Sequence, residues 1–151
     1  MYGDFAGLER SVNQCVLMTR ELARSETLAS ILLVEDDTDL AFAIKLWFER
    51  KGYVIQNVTT GAEALECIRF EKFDLIILDG HLPDMTGVEI CGHYRSGGGT
   101  SPVLMLSGLS AEAEIAAGLA AGANEYLAKP FVMTELAKRM DSLLLSVGGS
   151  K

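Results

Sequence analysis

The sequence predicts an α/β fold: a doubly wound sandwich around a five-stranded parallel sheet, preceded by an N-terminal helix. Three observations carry that prediction. From Ser30 onward, short apolar runs alternate with longer stretches of helical period, as in repeated βα units. The runs are apolar nearly throughout, as strands covered on both faces are, and most are too brief for helices. The chain has 151 residues, of which 49% are hydrophobic, enough for one core and short of two full-sized domains.

The expected strands are Ile31 to Val34, Val54 to Val58, Leu75 to Leu78, Val103 to Leu106 and Tyr126 to Ala128. The first helix follows Glu35, Asp36 and Asp37, with Asp37 or Thr38 placed to cap it and Gly52 to end it. At roughly 100° per residue, its Leu40, Ile44, Trp47 and Phe48 should face the sheet, with Phe42 and Leu46 on the opposite side. Thr60, followed three residues on by Glu63, reads as a capping box opening the second helix. Ser96, Gly97, Gly98 and Gly99 are too permissive to continue the third and mark a flexible loop before the fourth strand. Ser110 can cap the fourth helix, whose first turn holds Glu112 and Glu114 and which Gly122 ends.

The expected domain spans residues 29 to 147, with 148 to 151 a tail. Residues 1 to 28 are a helical extension or a linker. In them Phe5, Leu8, Val12, Cys15, Thr19 and Leu22 recur at alternating intervals of three and four, a heptad seam. A helix of about three heptads is marginal alone, so the seam needs a partner. The second apolar stripe of the first helix offers one, in the same chain or across a dimer.

Lys and Arg total 13 against 21 Asp and Glu, a net charge of -8, which disfavours a generic grip on nucleic acid. No apolar run approaches the length of a membrane span, and the N-terminus does not read as a signal peptide, so the expected location is the cytoplasm. Cys15, Cys67 and Cys91 form no CxxC pair and read as buried or half-buried thiols.

Ligands of an open α/β sheet bind beyond the carboxyl ends of its strands. The residues there are Glu35, Asp36 and Asp37 after the first strand, Asp79 ending the third, Ser107 ending the fourth, and Lys129 with Pro130 after the fifth. Carboxylates converging on one mouth repel one another unless a cation sits among them. Mg²⁺ suits such a set, since it takes a few oxygen ligands and leaves positions for phosphoryl oxygens. Lys129 and Ser107 would serve the remaining phosphoryl oxygens, one as a charge and one as a donor.

ILLVEDD at Ile31 to Asp37, DLIILDGHLPDMTG at Asp74 to Gly87, PVLMLSG at Pro102 to Gly108 and GANEYLAKPF at Gly122 to Phe131 resemble the receiver domain of two-component response regulators. The resemblance covers about residues 30 to 146 and implies a five-stranded (βα)5 sandwich of the flavodoxin-like type. It makes Asp79 the phosphoacceptor, and Glu35 with Asp36 the acidic pair that helps hold Mg²⁺, joined by the backbone carbonyl of His81. Ser107 would be the switch hydroxyl, Lys129 would pair with a phosphoryl oxygen, and Tyr126 would turn inward on activation. Pro130 stands where the family usually has a cis peptide. The implied partners are a histidine kinase or histidine phosphotransfer protein as donor and a downstream protein target. The resemblance would also place the outer side of the first helix near where such donors dock. The expected chemistry is phosphoacceptance, with no enzymatic activity beyond phosphotransfer and autodephosphorylation.

Gly80 and His81 follow Asp79, where the family tunes phosphate lifetime; the imidazole either orients water or lines the rim. His93, near Cys91, has too few companions for a metal site and reads as helix surface or core. The fourth helix holds Ala113, Ala116, Ala117, Gly118 and Ala120 but no Lys or Arg. The charge-paired dimer of one large receiver subfamily therefore lacks its base. The chain ends near Val147 to Lys151 with no output domain following, as in a free-standing receiver or a piece of a larger protein. Two other functions compete: a receiver-like scaffold working without phosphorylation, and an Mg²⁺-dependent phosphohydrolase with an aspartyl-phosphate intermediate, for which the D-x-D pairing and a lid are wanting.

Overall fold

The computed structural model describes residues 29–108 and 112–148. The heptad seam of residues 1–28, with Cys15 in it, and the expected Ser110 cap lie outside them. The described chain alternates β1 (Ser30–Val34), α1 (Thr38–Glu49), β2 (Val54–Val58), α2 (Gly61–Phe70), β3 (Leu75–Asp79), α3 (Gly87–Ser96), β4 (Val103–Ser107), α4 (Glu112–Ala120), β5 (Glu125–Ala128) and α5 (Met133–Gly148). All strand pairs are parallel, in the order β2-β1-β3-β4-β5. Every expected strand is present, and each boundary lies within one residue of its expected place. β3 and β4 run on to include Asp79 and Ser107, which pair with Leu106 and Ala128.

The period of two along each strand divides the core into two layers. Ile31, Leu33, Ile55, Leu75, Ile77, Leu104 and Leu106 point to one face, against Ala41, Ile44 and Phe48 of α1 and Leu136 and Met140 of α5. Leu32, Val34, Ile76, Leu78, Val103 and Met105 point to the other, against Ala64 of α2 and Ile90 and Cys91 of α3. The central strands are buried on both faces, which is why their sequences read as unbroken apolar runs.

One helix face differs from expectation. The buried side of α1 is Ala41, Ile44 and Phe48, with Leu40 partly buried, whereas Trp47 is 38% exposed. The small Ala41 lets α1 sit close to the sheet and turns the buried arc away from Trp47, which lies on the flank of the helix with the Lys51 ammonium 5.1 Å from its ring centroid. Phe42 and Leu46 face outward as expected.

The caps explain where helices begin. Asp37 accepts from the amides of Asp39 and Leu40. Thr60 accepts from the Glu63 amide, but the Glu63 carboxylate accepts from the Thr59 and Thr60 hydroxyls instead of the Thr60 amide, so this box is half formed. A complete box occurs at Thr86 and Glu89, opening α3. Gly52 and Gly122 have positive φ after α1 and α4, as their expected roles require. The loop after α3 is tied down by Arg95, whose guanidinium donates to the carbonyls of Gly99, Ser101 and Gly122 and to the Asn124 side chain. Cys91 is buried and Cys67 half-buried, and burial pushes both thiols up.

Candidate functional site

Because every strand is parallel, all five carboxyl ends open on the same edge of the sheet, and the order of the strands reverses between β1 and β3. Glu35 and Asp36 follow β1 and Asp79 ends β3, so these carboxylates flank the reversal; one oxygen from each lies within 4.8 Å of the others. Ser107 closes β4 and Lys129 follows β5, completing the set expected from the sequence.

Glu35 is fully buried although charged residues rarely are. Its Oε1 accepts from the Asp37 amide at 3.1 Å and its Oε2 from Lys129 Nζ at 2.8 Å. The loop that carries it is fixed by its own amide donating to the Val58 carbonyl, and by Asn57, whose side-chain nitrogen donates to the carbonyls of Leu33 and Val58. Asn57 is a residue the sequence reading passed over. The signal for it was a polar side chain in the middle of an apolar run.

Asp79 is buried, accepts at Oδ1 from the His81 amide at 3.2 Å, and has its Oδ2 3.6 Å from Lys129 Nζ. Asp36 is exposed and supplies the outer carboxylate of the cluster. Burial raises the pKa of Glu35, and the charge of Asp79 adds to the rise, against the hydrogen bonds from Lys129 and Asp37. Burial also raises Asp79, with Asp36 adding to it, against the His81 amide and the Lys129 charge. Burial works against the Lys129 ammonium, but its bond to Glu35 and the charges of Glu35 and Asp79 outweigh that and raise it. One cation therefore sits among three carboxylates, and negative charge remains in excess.

Ser107 is buried, and its carbonyl accepts from the Lys129 amide at 2.8 Å, which holds the end of β5 against β4. A Cβ at Gly80 would lie 3.2 and 3.3 Å from Ser107 Cβ and Oγ, so the missing side chain leaves room at the hydroxyl. Tyr126 is half-buried, packed against the core layer of α2 and α3, and paired with Met105 across the β4–β5 ladder. The Lys129-Pro130 peptide is cis.

His81 is exposed, and its Nε2 meets Glu114 Oε1 of α4 at 2.5 Å, a contact across the mouth that sequence spacing did not suggest. His93 is exposed on α3 and apart from any acidic cluster found among the described residues. Asp84 accepts from the amides of Gly61 and Ala62, and these bonds lower its pKa and tie the β3–α3 loop to the start of α2. The donor set at the mouth is entirely carboxylate oxygen, which is what a hard divalent cation such as Mg²⁺ takes.

The family profile of the response regulator receiver domain matches residues 31–141. Response regulator RppA of Synechocystis sp. is 44% identical over 115 residues, which are 75% of this chain and 49% of that protein. Response regulator MprA of Mycobacterium ulcerans is 39% identical over 114 residues, 76% of this chain and 49% of that protein. The chain thus spans about half the length of the curated relatives it matches. Among solved structures, a CheY-like response regulator receiver domain protein from Methanospirillum hungatei superposes with a TM-score of 0.78 at 29% identity, covering 83% of this chain and all of that one. The receiver domain of the Francisella response regulator 1452 gives 0.75 at 31% identity, over 79% of this chain and 98% of that one.

Proposed function

Because the chain belongs to the response regulator receiver family, we propose that it accepts a phosphoryl group on Asp79 from a phosphohistidine donor and signals through protein contacts. The observation that carries this reading is the setting of Asp79: a buried carboxylate with Lys129 Nζ 3.6 Å away and the carboxylates of Glu35 and Asp36 beside it. A dianionic phosphoryl group approaches a carboxylate only where the summed negative charge is offset.

Glu35, Asp36 and Asp79, with the backbone carbonyl of His81, would hold Mg²⁺. Bound there, the cation supplies charge neutralisation for the transferring oxygens. The residues of the chain account for the rest. A carboxylate oxygen of Asp79 bonds to phosphorus as the phosphorus–nitrogen bond of the donor breaks, and the electron pair leaves with the imidazole nitrogen. Lys129, held in place by Glu35, offers a second ammonium hydrogen to a phosphoryl oxygen. The Ser107 hydroxyl, with open space toward Gly80, donates to another. Its movement toward the phosphoryl group gives Tyr126, on the neighbouring strand, a reason to turn inward, so that a charge at the mouth alters the surface of α4, β5 and α5.

In this reading the protein is a cytoplasmic phosphoacceptor and not an enzyme acting on a free substrate. Its partners are a histidine kinase or phosphotransfer protein and a downstream protein. Intact mass after incubation with acetyl phosphate and Mg²⁺ tests it. One base-labile phosphoryl adduct is expected on wild type and none on Asp79→Asn. No adduct on wild type, under conditions that label another receiver, would leave the unphosphorylated scaffold as the better reading.

A further inference from the structure

Of the five strands described, β2 adds none of its residues to the mouth, yet its end carries a polar side chain where the fold asks for an apolar one. Ile55 and Asn57 share one face of β2 by the period of two, and Ile55 is buried in the layer under α1. A side-chain amide taken from water costs stability unless it is hydrogen-bonded, so a β-branched aliphatic residue would serve the strand better. The reason for an amide lies in its partners. Asn57 stands opposite Leu33 of β1, and its Nδ2 donates to the carbonyls of Leu33 at 2.9 Å, Val58 at 3.2 Å and Glu35 at 3.4 Å. The first bond ends on β1, and the last reaches the turn that follows it.

Glu35 is thereby bracketed by the end of β2. Its amide donates to the Val58 carbonyl at 3.0 Å, and its own carbonyl accepts from Asn57. That carbonyl shares a planar peptide unit with the Asp36 amide, so holding it fixes the plane from which Asp36 departs. The Glu35 carboxylate is buried and gripped at both oxygens, by the Asp37 amide and by Lys129. Asp36 is exposed, so water competes for its carboxylate, yet one of its oxygens lies within 4.8 Å of oxygens of Glu35 and Asp79. Like charges so close repel, and a free backbone would let Asp36 turn outward. We propose that Asn57 is a positioning residue for the cation of the phosphoacceptor site, acting through the Glu35–Asp36 peptide to keep the Asp36 carboxylate in the cluster. The inference rests on the cation-assisted phosphoacceptance proposed above.

Mn²⁺ takes the same oxygen ligands as Mg²⁺, and its binding to the full chain is read directly from the paramagnetic resonance signal of the free ion. Asn57→Ala should weaken that binding about ten-fold, as for other groups that orient metal ligands from behind. In an Asp36→Asn background, which itself binds less tightly, the same change should weaken it by no more than about two-fold, because the brace acts through Asp36. Labelling by acetyl phosphate should split likewise: the Mg²⁺ concentration for half-maximal rate rises about ten-fold, while the rate at saturating Mg²⁺ stays within about two-fold of wild type. A general loosening of β2 would instead lower that plateau and weaken binding equally in both backgrounds, and either result would overturn the proposal. Asn57→Val also removes the donor but suits a strand, so it carries the same test if Asn57→Ala does not fold. Wild-type affinity in a folded variant would overturn the proposal. Wild type that neither binds Mn²⁺ nor takes a phosphoryl group would overturn the reading on which it rests.

Discussion

Asp79 occupies surroundings that disfavour its own charge, and a consequence for stability follows. Burial and Asp36 raise its pKa above the unfolded value, so its favourable contribution is complete at pH below the unfolded pKa and is lost as pH rises through the folded one. Without a cation, an ionised Asp79 therefore destabilises the fold. Asp79→Asn should therefore raise the melting temperature of the metal-free protein by a few degrees, at roughly 2–4 °C per kcal/mol for a chain of this size; a fall in calorimetry would contradict the charge argument. Tyr53 shows the opposite side of the molecule. Its hydroxyl donates to Asp141 of α5 at 3.0 Å, and burial, with that bond and charge, pushes its pKa up to about 12. The stabilisation is complete below the unfolded value near 10 and is lost as pH passes 12. Absorbance titration of tyrosinate should show one late component that Tyr53→Phe removes, and the variant should lose about 1 kcal/mol at neutral pH. The carboxylates and Lys129 were legible in the sequence because strand ends are few and each bore a polar residue. The Glu35–Lys129 bond and the Asn57 brace were not, since both join residues distant in sequence and depend on how closely neighbouring strands approach.

Among the elements, α3 is placed by the absence of a side chain. A Cβ on Gly87 would lie 2.5 Å from the Asp79 carbonyl and 3.2 Å from the Gly80 Cα, and the Gly87 amide donates to the Gly80 carbonyl at 3.0 Å. Gly87→Ala must push the first turn of α3 away from the end of β3, the element that carries Asp79. A loss of about 1–3 kcal/mol is expected in urea unfolding, as for overpacked cores, together with slower labelling by acetyl phosphate. Stability within 0.5 kcal/mol of wild type would show that the loop relaxes freely. The central strands were readable because burial on both faces leaves unbroken apolar runs, whereas the edge strands β2 and β5 carry Gln56, Asn57 and Glu125. Helix faces were less so: 100° spacing ranks Trp47 with Ile44 and Phe48, but the small Ala41 set the arc that meets the sheet. The capping motif Thr86–Glu89 has the same spacing as Thr60–Glu63, and only the geometry separates the complete box from the half-formed one.

At the level of the whole molecule, parallel topology gathers residues distant in the chain into one mouth. Glu35 and Lys129 are 94 positions apart in sequence and share a hydrogen bond of 2.8 Å. The segment after β1 and the last residue of β3 supply carboxylates, β4 ends in the buried hydroxyl, and the segment after β5 supplies the ammonium, so no single unit contains the site. Repulsion within the acidic cluster is therefore distributed over the sheet's centre, and a cation bound there stabilises several units together. Ligand binding to the folded state alone contributes about 2.7 kcal/mol at one hundred times the dissociation constant. For a chain of this size that corresponds to a rise of roughly 5–10 °C in melting temperature. Titration with MgCl₂ at constant ionic strength should produce a rise that saturates and is reversed by a chelator. Asp36→Asn/Asp79→Asn should start from a higher melting temperature and respond little, because its mouth has lost two of the three carboxylates. An equal rise in both proteins would mean that Mg²⁺ acts elsewhere on a chain of net charge -8 and not at the ends of β1 and β3.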